Sequence, residues 1–292
     1  MTNKAPLLAI HGGAGALVGR DYSREIAHMR GLIEAGRDAL SAGAPALAVV
    51  VETVAELESS GLYVAGRGAS PNTVGRYELD AGLMNGPDRR AGAVAALQGF
   101  VSPIHAAKAV MERTPHVFFV GAGAARIAAD AGLARIADPA AWFTHAGAAE
   151  DGAPAELSMG TVGCVARDTS GALAAATSTA GIHGKWDGRV GDCPILGAGV
   201  WADETVAVSC TGLGEMFMRC AAAAQLAFRV RFGAEGLADA ARAVLDEVRT
   251  MAGAGGLIAI SADGQIALPY NTAGMKRAAL LPGGEIVSAA IS

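Results

Sequence analysis

Charged side chains are scarce in this chain and aromatic ones scarcer. Asp, Glu, Lys and Arg supply 17% of 292 residues and Phe, Trp and Tyr together 5%, against a charged fraction of ~25% in ordinary soluble domains. The formal net charge is −5 and no run of Lys or Arg occurs, which excludes the clustered cations that nucleic-acid phosphates require. No apolar stretch reaches the ~18–20 residues of a membrane span, so no membrane partner is expected. The apolar residues between Pro6 and His11 are too few for a secretory h-region. Cys164, Cys193, Cys210 and Cys220 have no CxxC spacing, which argues against a zinc site or a disulfide framework. Free thiols of this kind suit a reducing compartment, and a cytoplasmic protein is expected.

What the chain has in abundance is apolar surface and glycine. Hydrophobic residues make up 52% and glycine 40 of 292 positions, enough to bury a sizeable core with many tight turns. Residues 7–10 predict a short buried strand running into the glycine turn HGGAG. Ile26, Met29, Ile33, Gly36 and Leu40 recur at helical spacing, as do Leu47, Val50, Val51, Val54 and Leu57. Strands are expected at 77–84 and 91–97, then a helix opened by Ser102 as N-cap and Pro103 at N1. A strand at 116–120 and a helix at 124–131 follow. Residues 142–160 are small, polar and acidic without a period, which predicts a mobile connector. Beyond it come strands at 161–167 and 172–178, helices at 215–230 and 237–251, and a hairpin of 257–261 with 265–268. Strand pairs joined by short turns imply antiparallel sheets. Their apolar faces need cover on both sides, which two stacked sheets between helical layers would supply.

Several familiar motifs fail on inspection. GAGAAR at 121–126 follows a strand and opens a helix, but Arg126 replaces the third glycine of a dinucleotide fingerprint. HGGAG lacks the GxSxG elbow that would make it an esterase turn. GIHGK at 181–185 has neither the spacing nor the hydroxyl of a P-loop, and no His lies in HExxH.

Met159-Gly160-Thr161-Val162-Gly163 is different. A threonine hydroxyl needs a base to become a nucleophile, and cleavage before Thr161 would free an α-amine with a pKa of ~7.7–8.0 for that role. A plain Gly-Thr strand entry is the competing interpretation. Asp168-Thr169-Ser170-Gly171 suits a type I turn closed by a left-handed glycine, and counting outward from it places Thr161 opposite Thr179. On the loop GRVGD, Arg189 and Asp192 either hold the carboxylate and ammonium of an α-amino acid or bridge one another on a surface turn. Ser209 to Gly214 ends a strand at a helix start, where N–H groups beside Thr211 form either an oxyanion hole or an ordinary capped turn.

GTVG at 160–163, ATSTAG at 176–181, GRVGD at 188–192, AVSCTGLGE at 207–215 and IALPYNTAGM at 266–275 together resemble the isoaspartyl peptidase/L-asparaginase family. This is the plant-type asparaginase branch of the N-terminal-nucleophile (Ntn) hydrolases. The resemblance runs from AIHGGAG at 9–15 to Met275, with the motifs in family order. It implies an α+β fold, a four-layer αββα sandwich of two mainly antiparallel sheets. It also implies a single domain, 1–292, that cleaves itself between Gly160 and Thr161 into chains 1–160 and 161–292. Thr161 would be the nucleophile and Thr179 its support. Arg189, Asp192 and Gly214 would bind substrate, and Thr211 and Gly212 would stabilise the oxyanion. Substrates would be β-aspartyl dipeptides and L-asparagine, both releasing L-aspartate, and the processed α/β pairs would dimerise. No cofactor is required, but a structural sodium ion would sit on the carbonyls of Leu57, Glu58, Ser60, Tyr63, Ala65 and Arg67.

Two positions depart from the pattern. Val64-Ala65-Gly66 stands where the family commonly has Asn-Ala-Gly, which bears on substrate preference. IHGKWDG at 182–188 replaces a frequent threonine–asparagine pair, placing His183 and Trp186 at the pocket edge or at a dimer contact. The alternatives are a glycosylasparaginase-like amidase, which tends to have His-Asp before its threonine where this chain has Met159-Gly160, and an unprocessed protein that binds an acidic amino acid through Arg189 and Asp192.

Overall fold

The computed structural model describes residues 4–146 and 160–291. An eight-stranded sheet has the order β12-β11-β1-β5-β6-β2-β3-β4, and a four-stranded sheet the order β10-β9-β8-β7. The large sheet comprises β1 (Leu7–His11), β2 (Leu79–Asn85), β3 (Ala91–Leu97), β4 (Phe118–Val120), β5 (Thr161–Arg167), β6 (Leu173–Thr179), β11 (Gly274–Leu280) and β12 (Ile286–Ile291). The small one comprises β7 (Val200–Ala202), β8 (Val206–Gly212), β9 (Gly255–Ser261) and β10 (Ile266–Ala267). Among the described strands every pairing is antiparallel except β3 with β4.

Alternation along the strands sorts side chains into layers. Leu8, Ile10, Val162, Cys164, Ala174 and Ala176 pack outward against helices α1 (Ser23–Ser41), α2 (Ala46–Ser59) and α3 (Pro103–Arg113). Leu7, Ala9, Val165, Leu173 and Ala175 point inward and meet Ala207, Ile258 and Ile260 of the small sheet. The outer face of that sheet, with Val206, Val208 and Cys210, is covered by α7 (Ala222–Gly233) and α8 (Leu237–Thr250). The result is an αββα sandwich, as the sequence implies. Sheets with apolar residues on both faces need a packed layer on each.

The β5–β6 hairpin forms as its turn chemistry predicts. Gly171 takes φ +92°, the Asp168 N–H donates to Ala172 O, and the Asp168 carboxylate accepts from Ser170 N and Ala172 N. The other carboxylate oxygen accepts from Ala46 N at the start of α2, so one residue ties the turn to the helix above it. Ser102 caps α3, accepting from His105 N, and the short helices α4 (Ala122–Asp130) and α5 (Pro139–Trp142) follow β4.

Two expectations need correction. The single helix over 215–230 is instead α6 (Gly214–Arg219) and α7, broken at Ala221, which is left-handed with φ 48°. The chain restarts there because Ala223 N and Ala224 N donate to Ala198 O and Gly197 O; a run of alanines carries no side-chain mark of such a break. The hairpin of β11 and β12 was absent from the expected strands, since the half-exposed β12 shows no alternation. Most of the connector expected at 142–160 lies outside the described residues, namely 147–159. Its first part is fixed: Phe143 stacks on Tyr77 at 3.8 Å, and Thr144 N and Ala146 N donate to Arg67 O and Gly68 O. Among the described residues, no helix is long and apolar enough to cross a membrane.

Candidate active site

Thr161 opens β5 and pairs directly with Thr179 at the end of β6. Both lie on the inward face, so their side chains meet between the sheets: Thr161 Oγ1 donates to Thr179 Oγ1 at 3.3 Å. Thr179 Oγ1 in turn donates to Gly160 O at 3.5 Å and accepts from Gly181 N at 3.0 Å. A proton path thus runs from the Thr161 hydroxyl through Thr179 to the carbonyl of the Gly160–Thr161 bond. Space around that bond is tight. A Cβ on Gly160 would stand 2.4 Å from Val64 Cγ2 and 3.1 Å from Val64 N. Val64 O accepts from Ala180 N, so the 57–67 loop braces both strands of the hairpin.

Thr211 and Gly212 end β8 on the facing sheet. Thr211 alternates with Ala207 and Ser209 on the inward side and accepts from Ala14 N at 3.3 Å, which links β8 to the HGGAG turn. Gly214 begins α6, and a Cβ there would fall 2.8 Å from both the backbone N and Oδ1 of Asp192. That absence of a side chain seats Asp192 against the start of α6. Burial pushes the Asp192 carboxyl up to about 7, with Glu215 and Asp80 adding to the rise and Arg189 opposing it. Its Oδ2 is buried with no partner among the described residues.

Arg189 does not bridge Asp192. Its Nε and Nη2 each donate to a carboxylate oxygen of Glu215 at 2.8 Å. Beside this pair an open cavity of about 490 Å³ is lined by Ile182, Lys185, Trp186 and Asp187, and Trp186 is 80% exposed. The loop bearing Arg189 is anchored from below. Buried Lys185 Nζ donates to Glu78 O at 3.0 Å, and the Glu78 carboxylate accepts from Gly188 N and Asn72 Nδ2.

Four further polar residues, to which the sequence assigns no role, lie at the site. His11, Ser209 and Thr177 are buried around Thr161, and Asp80 lies in the same row as Thr179 and Thr161. Asp80 Oδ1 accepts from Ala96 N at 2.8 Å, across a bulge where Ala96 takes φ 49°, and burial raises its carboxyl. The available signal was alternation: His11 shares the inward face with Leu7 and Ala9, and Ser209 with Thr211.

The 57–67 loop fits a hard monovalent cation in its donor chemistry. Leu57, Glu58 and Ser60 carry carbonyls at the C-terminal end of α2, where helix carbonyls lack intrahelical partners and the dipole is negative. Glu58 O approaches within 2.7 Å of the Cβ position of Gly66, which takes φ +50°; only glycine lets the two arms of the loop close. Tyr63 O and Ala65 O accept from Ala65 N and Gly68 N, each keeping a second lone pair, whereas Arg67 O accepts from both Thr144 N and Thr144 Oγ1.

Residues 4–285 match the family model described as asparaginase. The chain is 45% identical to the isoaspartyl peptidase of Salmonella typhimurium, over 94% of this chain and 95% of that protein. Identity to the isoaspartyl peptidase of Escherichia coli is 42%, over 93% and 92%. With the human isoaspartyl peptidase/L-asparaginase it is 37%, over 95% and 94%.

Proposed function

The chain belongs to the asparaginase family, and from that premise we propose that it is a threonine hydrolase of β-aspartyl dipeptides and L-asparagine, matured by its own cleavage before Thr161. The observation that carries the mechanism is the contact of Thr161 Oγ1 with Thr179 Oγ1 beside the Gly160 carbonyl. In maturation, Thr161 Oγ1 attacks the Gly160 carbonyl carbon and its proton passes to Thr179, whose own hydroxyl faces the developing oxyanion. Collapse, with the relayed proton delivered to the departing Thr161 nitrogen, breaks the C–N bond and leaves Gly160 as an ester on Thr161 Oγ1 beside a free α-amine. Water hydrolyses that ester to a Gly160 carboxylate and restores the Thr161 hydroxyl.

The freed amine then serves as base for the hydroxyl of its own residue. Arg189 takes the substrate α-carboxylate and Asp192, beside Gly214, the α-ammonium. Thr161 Oγ1 attacks the β-carbonyl, Thr211 and Gly212 stabilise the oxyanion, the amine departs, and water releases L-aspartate. A structural sodium ion on the loop carbonyls would stiffen the segment that braces Gly160. The processed pairs assemble as a dimer, and four free cysteines suit a cytoplasmic setting.

Intact mass under denaturing conditions tests this directly. The chain of 29.2 kDa has 292 residues, about 0.1 kDa each, so cleavage gives pieces of roughly 16 and 13 kDa. The smaller must begin at Thr161, and Thr161→Ala must stay whole and inactive. A wild-type chain that remains at 29.2 kDa after prolonged incubation refutes the proposal.

A further inference from the structure

On its β6 side Thr161 is held by the ladder, but on its β1 side the ladder stops short. The last pair between β1 and β5 is His11 with Gly163, two residues before the nucleophile. The Thr161 carbonyl there has an unusual partner, the imidazole of His11, whose Nδ1 lies 2.9 Å away. A carbonyl can only accept, so Nδ1 carries the proton. Nε2 lies 2.8 Å from Ser209 Oγ; in neutral imidazole it is an acceptor, so Ser209 donates. Ser209 Oγ lies 2.8 Å from Thr177 Oγ1, and with its own proton committed it accepts from Thr177, whose single proton takes this bond in preference to the longer one, 3.3 Å, to Gly199 O. The direction of every bond is therefore set: Thr177 to Ser209, Ser209 to His11, His11 to the carbonyl of Thr161.

We propose that His11, oriented by Ser209 and Thr177, is the positioning residue that fixes the nucleophile by holding the carbonyl of Thr161. The inference rests on Thr161 being the nucleophile, as proposed above. The three side chains come from β1, β8 and β6, so the chain of bonds spans both sheets and couples the oxyanion strand to the nucleophile strand. All three are fully buried, and burial depresses the imidazole to about 3, which keeps it neutral and its tautomer constant through the working pH range. The imidazole reaches Thr161 by lying over Gly163. A Cβ there would meet Ser209 Oγ at 1.9 Å and His11 Nε2 at 2.3 Å, which accounts for the glycine two residues after the nucleophile.

His11 acts on both reactions. In the precursor the scissile bond is held from both sides, the Gly160 carbonyl by Thr179 and the Thr161 carbonyl by His11. In the mature protein Thr161 becomes a chain end, and among the described residues His11 is then the side chain restraining its carbonyl. A misplacement of about 1 Å in a reacting group can cost ~10²-fold in rate.

The test compares wild type with His11→Ala, His11→Asn and Ser209→Ala, following cleavage by intact mass and turnover of a β-aspartyl dipeptide after cleavage. Thermal unfolding of each variant accompanies the kinetics. His11→Ala should slow self-cleavage and lower kcat by at least about tenfold, with KM within about twofold. His11→Asn can present an amide N–H where Nδ1–H stands and should recover most of the loss. Ser209→Ala should lower kcat several-fold by releasing the ring. Wild-type rates in His11→Ala and Ser209→Ala, a loss confined to KM, or a His11→Asn as slow as His11→Ala would overturn the proposal. Should His11→Ala not fold, His11→Asn and Ser209→Ala decide: near-wild-type kcat in the first with a several-fold loss in the second supports it, and any other pattern overturns it. A wild-type chain that does not cleave defeats the nucleophile assignment itself, a separate outcome from any of these.

Discussion

Arg189 grips Glu215 with two parallel hydrogen bonds, Nε and Nη2 each 2.8 Å from its own carboxylate oxygen. Of the five guanidinium N–H groups, that leaves three, and Nη1 lies against Gly191, 2.9 Å from where a Cβ would be. Glu215 therefore orients the fork, and the substrate carboxylate proposed above would meet its remaining edge. Arg189→Ala should raise KM for L-asparagine and β-aspartyl dipeptides alike, by about 10²-fold, the scale of a lost charge-assisted pair. Glu215→Ala should raise KM only several-fold, with kcat nearly unchanged. Arg189→Lys should resemble the alanine variant, because an ammonium cannot replace the planar fork. Steady-state kinetics of the three decide whether Arg189 binds substrate or only ties down its loop.

Asp192 gives a pH signature with two limbs. Its carboxyl is raised to about 7 by burial, so the free protein should lose kcat/KM as pH falls through about 7, where the neutral acid no longer pairs with an ammonium. Bound ammonium pulls the same carboxyl down, so the acid limb of kcat should lie lower than that of kcat/KM. The linkage sign is fixed as well. A carboxyl raised in the folded state binds more protons there than when unfolded, so its contribution to stability falls as pH rises from about 4 to about 7. Asp192→Asn should remove that slope, raising stability at pH 8 by on the order of a few kcal/mol while raising KM. Coincident acid limbs for kcat and kcat/KM would show that another group titrates.

The legible part of this site was set by local rules and the hidden part by contacts between sheets. The pairing of Thr161 with Thr179 follows from one turn, because Asp168 to Gly171 fix the loop length and a strand's period of two does the rest. Nothing local says that His11 will reach Thr161, since their contact needs β1 beside β5. Nor does a periodicity reveal that Ser209 arrives from the opposite sheet. Arg189 and Asp192 were recognisable as a charge pair three apart, yet the partner Arg189 finds is Glu215, delivered by a strand–helix turn 26 residues on. The break at Ala221 was hidden for a related reason: its cause is the carbonyls of residues 197 and 198, in a loop the helix pattern does not contain.

Gly160 is held against Val64 so closely that the pair should behave as a unit. A methyl at residue 160 would overlap Val64 Cγ2 and Cβ at 2.4 and 2.6 Å and also approach its backbone N at 3.1 Å. Gly160→Ala should therefore slow self-cleavage by an order of magnitude or more, by displacing the scissile carbonyl from Thr179. Val64→Ala removes the Cγ2 clash but keeps those with Cβ and the backbone N, so the double variant should recover part of the rate and not all of it. Additive effects in the double-mutant cycle would mean that Gly160 is needed for its backbone freedom and not for its contact with Val64.

Lys185 and Glu78 support the Arg189 loop from a buried position where a charge cannot stand alone. Lys185 Nζ is 3.9 Å from Glu78 Oε2 with both side chains nearly inaccessible, and the same carboxylate accepts from Gly188 N, the residue preceding Arg189. Lys185→Met leaves that carboxylate unpaired in the interior and should cost about 3–5 kcal/mol of stability. It should also raise KM, because the loop loses the anchor that aims the guanidinium. Adding Glu78→Gln removes the stranded charge while keeping an acceptor for Gly188 N–H, so the double variant should regain stability over Lys185→Met alone, along with part of the KM. Chemical denaturation beside steady-state kinetics separates the two effects. Recovery of stability with KM still elevated would place the aiming of Arg189 on the Lys185 side chain rather than on the Glu78 contact to Gly188.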